Sequence, residues 1–235
     1  MKQTSLDSFQ LLLRALTLYK STFWPAALLS LFAAGCWFEP QFFFISTKDL
    51  SLKLALWFIP AGLGAFILWM SVVIYQYGAM HIFDYTIGHA LLLSLKRLGP
   101  TVIVLLLYMV IVACGTILLI LPGFILSMTL MLSIFLVVTN KSSIMNALLY
   151  SHNLIWPELL RVSLIISVPI FIYIAPSLVS YLLIMKLALS FEHFHYYATL
   201  AQAFIQILTL PYLFCVALCL MQDLEIRHHS RNLLS

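Results

Sequence analysis

Long apolar runs dominate the chain, and stretches of mixed polarity separate them. Three of those stretches end in a Pro that opens the next apolar run: Phe23-Trp24-Pro25, Leu98-Gly99-Pro100 and Ile155-Trp156-Pro157. Aligned on the prolines without gaps, Ala15, Ala90 and Ala147 coincide, as do Leu16, Leu91 and Leu148, and Leu12, Ile87 and Ile144. The pattern predicts three units, each an interfacial helix leading into a membrane hairpin. Their approximate bounds are 5–80, 81–140 and 141–221, followed by a short tail over 222–235, all in one membrane domain.

The stretches before the prolines read as helices. In the first, Asp7, Gln10, Arg14, Thr17 and Ser21 recur every three or four residues, and Leu6, Phe9, Leu12, Leu13 and Leu16 fill the opposite face. This is the spacing of an amphipathic helix, and its basic residues suit an anionic leaflet. Asn140-Lys141-Ser142-Ser143 supplies N-cap candidates for the third, and Asn146 and Asn153 mark its polar side. The middle copy, about 81–98, is less regular, but Asp84, Lys96 and Arg97 keep it from reading as a span.

Six apolar segments are expected to cross a membrane, where roughly 20 residues of helix span about 30 Å of hydrocarbon. They are 23–38, 54–78, 101–121, 124–139, 162–185 and 199–221, the first and fourth being short. Pro122-Gly123 divides one run of nearly forty residues into two antiparallel spans, because Pro stops a helix and Gly permits a turn. Pro60, Pro169, Pro176 and Pro211 lie inside spans, where membrane helices tolerate them. The expected fold is an all-α integral membrane bundle of six transmembrane helices with three cytoplasmic-side amphipathic helices, arranged as three elbow-plus-hairpin repeats.

Composition agrees and excludes a soluble domain. Of 235 residues, 63% are hydrophobic and 9% charged, against about 45–50% and about 25% in soluble domains; mean hydropathy is +1.07. The net charge of +4 is spread along the chain without a Lys/Arg block, so no nucleic-acid partner is expected. The basic residues set orientation instead. Lys2, Arg14, Lys20, Lys96, Arg97, Lys141, Arg161, Arg227 and Arg231 fall on one side of the six-span topology, and Lys48, Lys53 and Lys186 on the other. Nine against three puts both ends of the chain in the cytoplasm.

Candidate chemistry is sparse. Cys36, Cys114, Cys215 and Cys219 all lie in apolar runs and read as reduced, buried, structural thiols; Cys215 and Cys219 share a helix face but lack further metal ligands. Glu192-His193-Phe194-His195 has metal-like spacing, again without convergent ligands, and reads as an interfacial cluster with Tyr196 and Tyr197. Ala33-Ala34-Gly35-Cys36 resembles a lipoprotein processing site but reads as part of the first span, because the region before it is long and helix-patterned. Glu39-Pro40 reads as the outer end of that span rather than an intramembrane carboxylate.

Glu158 and Arg161 can pair at i, i+3 on the first turn of the fifth span, and Gln202 and Gln206, one turn apart in the sixth, can bond another helix or line a polar cleft. Together with Arg14, Lys20, Lys96 and Arg97 these are the candidates for polar lining or lipid contact. No nucleophile–base arrangement, phosphate loop or paired carboxylate is found, so no enzymatic activity, metal or cofactor is expected.

The centre of the chain resembles a known family. Ala90-Leu91-Leu92 and Lys96-Arg97-Leu98 lead into the third span, Ile120-Leu121-Pro122-Gly123-Phe124 forms the turn, and Ala147-Leu148-Leu149-Tyr150-Ser151-His152-Asn153-Leu154 follows. This resembles the YciC family of bacterial inner-membrane proteins and, more distantly, the membrane domain attached to some glycerophosphodiester phosphodiesterases. Tyr212-Leu213-Phe214 adds a weaker match. The resemblance covers roughly 83–165 closely and the whole chain in layout. It implies a six-span, multi-pass protein of the bacterial inner membrane and no catalytic residues; the soluble phosphodiesterase domain has no counterpart here. The expectation is therefore a non-enzymatic protein of envelope or lipid homeostasis, with inner-leaflet lipids as partners and room for a protein partner or homo-oligomer. The alternative is a small transporter or channel subunit.

Overall fold

The computed structural model describes residues 7–44, 52–81, 83, 85–139, 143–187 and 191–232. Their helices are α1 (Ser8–Phe44), α2 (Leu52–Met80), α3 (Ile87–Leu118), α4 (Ile120–Leu130), α5 (Leu132–Val138), α6 (Ile144–Ile155), α7 (Leu159–Leu187) and α8 (Phe191–Asn232), with a 3-10 turn over Trp156–Glu158. Among the described residues, five stretches are long and apolar enough to cross a membrane: Phe58–Met80, Ile87–Leu118, Ile120–Val138, Ile144–Lys186 and Tyr196–Arg231. The expected first span, 23–38, lies inside α1 and is not among these five. α1 nevertheless runs antiparallel to α2: the Trp37 ring lies 6.0 Å from that of Trp69, Leu29 shares a core cluster with Val72, and Arg14 faces Met80.

Two of the three prolines do not interrupt the helix as expected. α1 passes through Pro25 and α3 through Pro100 without a break. At about 1.5 Å per residue these helices reach about 55 and 48 Å, enough for an interfacial segment and a span in one rod. A Pro costs a helix one N–H and crowds the carbonyl a turn back. At the third junction the helix does change, tightening into the 3-10 turn with Pro157 at its start. Ser143 is the N-cap residue of α6, with extended backbone.

The hairpin turn also departs from expectation. The chain reverses at Leu119, whose φ of −162° and ψ of 143° are extended, and Pro122-Gly123 sits in the first turn of α4. There a missing N–H costs little. Gly123 is needed for proximity: a Cβ there would lie 2.7 Å from both Cα and N of Thr116 on α3, and one on Gly115 would meet Leu126 Cδ1 at 2.7 Å. The expected fourth span is α4 and α5 in series, interrupted at Met131 with helical φ −64° and ψ −30°.

The core gathers at one end of the bundle. Ala15, Ala90 and Ala147, the three residues that coincide in the sequence alignment, are all fully buried in one cluster. That cluster surrounds α8, in which every residue from 215 to 224 is buried. A helix buried all round is a central post. The segment expected to be a free tail instead continues α8 to Asn232, with Gln222, Asp223 and Leu224 inside. In α1 the packed stripe is Leu11, Ala15, Thr22, Ala26 and Leu29, while Phe9, Leu13 and Leu16 face outward. At the other end the α3–α4 and α7–α8 hairpins expose apolar side chains such as Ile117, Ile120 and Phe171, a surface matched to lipid tails.

Candidate functional site

Polar side chains concentrate where the start of α7 meets the end of α8. Glu158 comes from the 3-10 turn, Arg161 from the first turn of α7, and Asp223, Arg227 and Arg231 from the end of α8. Arg161 Nη1 donates to Glu158 Oε2 at 2.8 Å and its Nη2 pairs with Asp223 Oδ2 at 2.9 Å. Arg227 Nε donates to the same Asp223 oxygen at 2.9 Å and lies 3.8 Å from Glu158 Oε2. Arg231 Nη2 donates to Glu158 Oε1, and Arg161 Nε reaches Ser8 Oγ at 3.4 Å. Two carboxylates thus sit among three guanidiniums. The Asp223 side chain is 1% exposed and that of Glu158 9%, so both carboxylates are buried and depend on the guanidiniums, which reach towards the surface. The network ties α1, the third elbow and the end of α8 together.

Of the candidates named from sequence, Glu158 and Arg161 do meet, as part of this larger network. Asp223, Arg227 and Arg231 were missed because they fall where a tail was expected. Their i, i+4, i+8 spacing straight after an apolar run was the available signal. Arg97 is half-buried and its Nη1 lies 3.5 Å from Val137 O, linking α3 to α5. Lys20 and Lys96 are exposed. Arg14 lines a cleft of about 220 Å³ with Thr17, Leu18, Ser21, Met80 and Cys219.

Gln202 and Gln206 lie away from this end. Both donate through Nε2 to Tyr173 Oη on α7, Gln206 at 3.4 Å. They pack two helices together, as buried amides in membranes do; Tyr173 was not anticipated. A related pair reaches backbone carbonyls beside Pro211. Gln76, fully buried on α2, donates Nε2 to Pro211 O at 2.9 Å, and Tyr19 Oη on α1 donates to Leu208 O at 2.9 Å. Neighbouring helices satisfy the carbonyls that a membrane proline disturbs.

Cys215 and Cys219 are buried free thiols, Cys36 is half-buried, and Cys114 is exposed, contrary to the expectation that all four are buried. α3 turns Cys114 outward because Gly115 takes the face packed on α4. Among the described residues no group of three or more His, Cys, Asp or Glu side chains is placed to hold a metal. Lys2, Lys48, Asp84, Asn140, Lys141 and Ser142, and the side chains of Glu39, Lys53, Glu192, His193 and His195, lie outside the described residues.

No protein-family model, no curated protein and no solved structure matches this chain.

Proposed function

We infer that the protein is a non-enzymatic, multi-pass protein of the bacterial inner membrane that engages inner-leaflet lipid and serves envelope or lipid homeostasis. In this reading α1 supplies a sixth span, the chain is built of three elbow-plus-hairpin repeats, and it is a member of the YciC family. The observation that carries it is the composition of one end of the bundle. Arg14, Lys20, Lys96, Arg97, Arg161, Arg227 and Arg231 collect there. Beside them the elbows turn apolar side chains outward: Phe9, Leu13 and Leu16 from α1, Leu92 and Leu95 from α3, and Met145 and Leu149 from α6. Outward apolar groups beside basic ones suit an interface carrying anionic headgroups. The equivalent burial of Ala15, Ala90 and Ala147 supports the repeat.

A small transporter or channel subunit is the weaker reading. Gln202 and Gln206 commit their donors to Tyr173, and α8 fills the centre of the elbow end, where an aqueous path would have to run.

Topology gives the first test. A reporter fused after Ser235 should read cytoplasm and one after Asp49 periplasm. An Asp49 fusion reading cytoplasm would leave α1 on the surface and remove the sixth span. For function, deleting the gene should alter lipid asymmetry between the leaflets and increase sensitivity to detergent. Unchanged lipids together with unchanged sensitivity would refute the homeostatic role.

A further inference from the structure

Among the described residues, Arg14 has no carboxylate partner, and it borders an open cleft. Arg161, Arg227 and Arg231 are neutralised by Glu158 and Asp223. Among the described residues no hydrogen bond or ion pair engages Arg14, although it is half-buried. Its five guanidinium donors instead border the cleft of about 220 Å³ between α1, α2 and α8. That volume is many times the roughly 10–15 Å³ one water needs.

We propose that this cleft binds a phosphate group, held by Arg14 and flanked by Thr17 and Ser21. The three side chains lie at i, i+3 and i+7 of α1 and so share a face. A guanidinium fork matches two phosphate oxygens at once. The hydroxyls now donate to Leu13 O at 3.0 Å and Leu18 O at 2.9 Å. Each can turn its proton to an anion, because side-chain bonds back to a helical carbonyl compete weakly. Leu18 and Met80 give the cleft an apolar wall, suited to the glycerol or first methylenes of a lipid, and Leu13 and Leu16 continue an apolar surface outside it. The phosphate can come from a phospholipid headgroup or from soluble phosphate.

This deepens the lipid reading above and rests on it only for the lipid source: unchanged lipids together with unchanged detergent sensitivity on gene deletion would end that reading and leave the binding measurement standing. The full chain in neutral detergent is titrated, by native mass spectrometry, with phosphatidylglycerol, with diacylglycerol of the same acyl chains, and with inorganic phosphate. Wild type should hold phosphatidylglycerol about tenfold more tightly than Arg14→Gln, roughly the loss of one charge-assisted contact. Ser21→Leu, which fills the cleft and keeps the charge, should weaken binding similarly, while Lys186→Gln, exposed near the far end of α7, binds as wild type. Should Arg14→Gln fail to fold, Ser21→Leu at an exposed position decides the matter. Displacement of the lipid by millimolar inorganic phosphate supports the site with a soluble ligand; retention supports it with a headgroup. Equal phosphatidylglycerol binding by wild type and Ser21→Leu, or equal binding of diacylglycerol, overturns the proposal.

Discussion

Ending the chain after Met221 should abolish a stably folded protein. The deleted stretch carries Leu224 and Asp223, both about 2% exposed, together with Arg227 and Arg231. Losing a buried Leu side chain costs roughly 2–5 kcal/mol. Losing Asp223, Arg227 and Arg231 together reduces the ion-pair network to the single Arg161–Glu158 pair and unties α7 from the end of α8. The loss is a large fraction of the whole stability of an ordinary domain, about 5–15 kcal/mol. The check is accumulation in the membrane and, for any protein recovered, the midpoint of thermal aggregation in detergent. A truncated protein that accumulates and melts like the full chain would show that 222–232 is dispensable, as a free tail would be.

Gly123→Ala should be the most damaging single-methyl change in the α3–α4 hairpin. The new Cβ would press on Thr116 Cα and N at 2.7 Å, as well as on its hydroxyl. Backbone cannot step aside as a side-chain tip can, so the helices must part. Overpacking of this kind costs about 1–3 kcal/mol. We expect about 2–3 kcal/mol, even though Ala is favoured over Gly in a helix by up to about 1 kcal/mol. Gly115→Ala is the internal control. Its shortest contact is the mobile Leu126 Cδ1, with Gly123 Cα at 3.2 Å, and it should cost about 1 kcal/mol or less. Thermal midpoints of the two variants, measured side by side, decide between a proximity role for Gly123 and a purely conformational one. Equal midpoints would rule out the proximity role.

The part of the fold that was legible came from composition and periodicity. Apolar runs long enough for lipid announce helices, because a backbone in hydrocarbon must satisfy its hydrogen bonds internally. The coincidence of Ala15, Ala90 and Ala147 marked positions with no room for a larger side chain, and all three are fully buried. Local punctuation misled where neighbours supply what a residue lacks. Pro25 and Pro100 read as junctions yet sit in unbroken helix. Pro122-Gly123 read as the turn, but the reversal occurs at Leu119, whose sequence carries no turn signal.

The candidate site shows the same division. Glu158 and Arg161 were visible as a pair because they are three residues apart on one helix. Arg14, Lys20, Lys96 and Arg97 were visible as basic residues of the elbows. That Arg161 also meets Asp223, sixty-two positions away, while Arg14 meets no carboxylate among the described residues, depends on how α1, α7 and α8 pack.

By itself, the sequence determined that this is an all-helical chain with several membrane-crossing helices, because hydropathy and helical period are properties of contiguous residues. Only the tertiary structure decided that α8 is the central post, that residues 222–232 belong to it, and which arginine is left facing an open cleft. Those features arise from which faces of distant helices meet, and a charge or an amide carries no mark of its partner until they do.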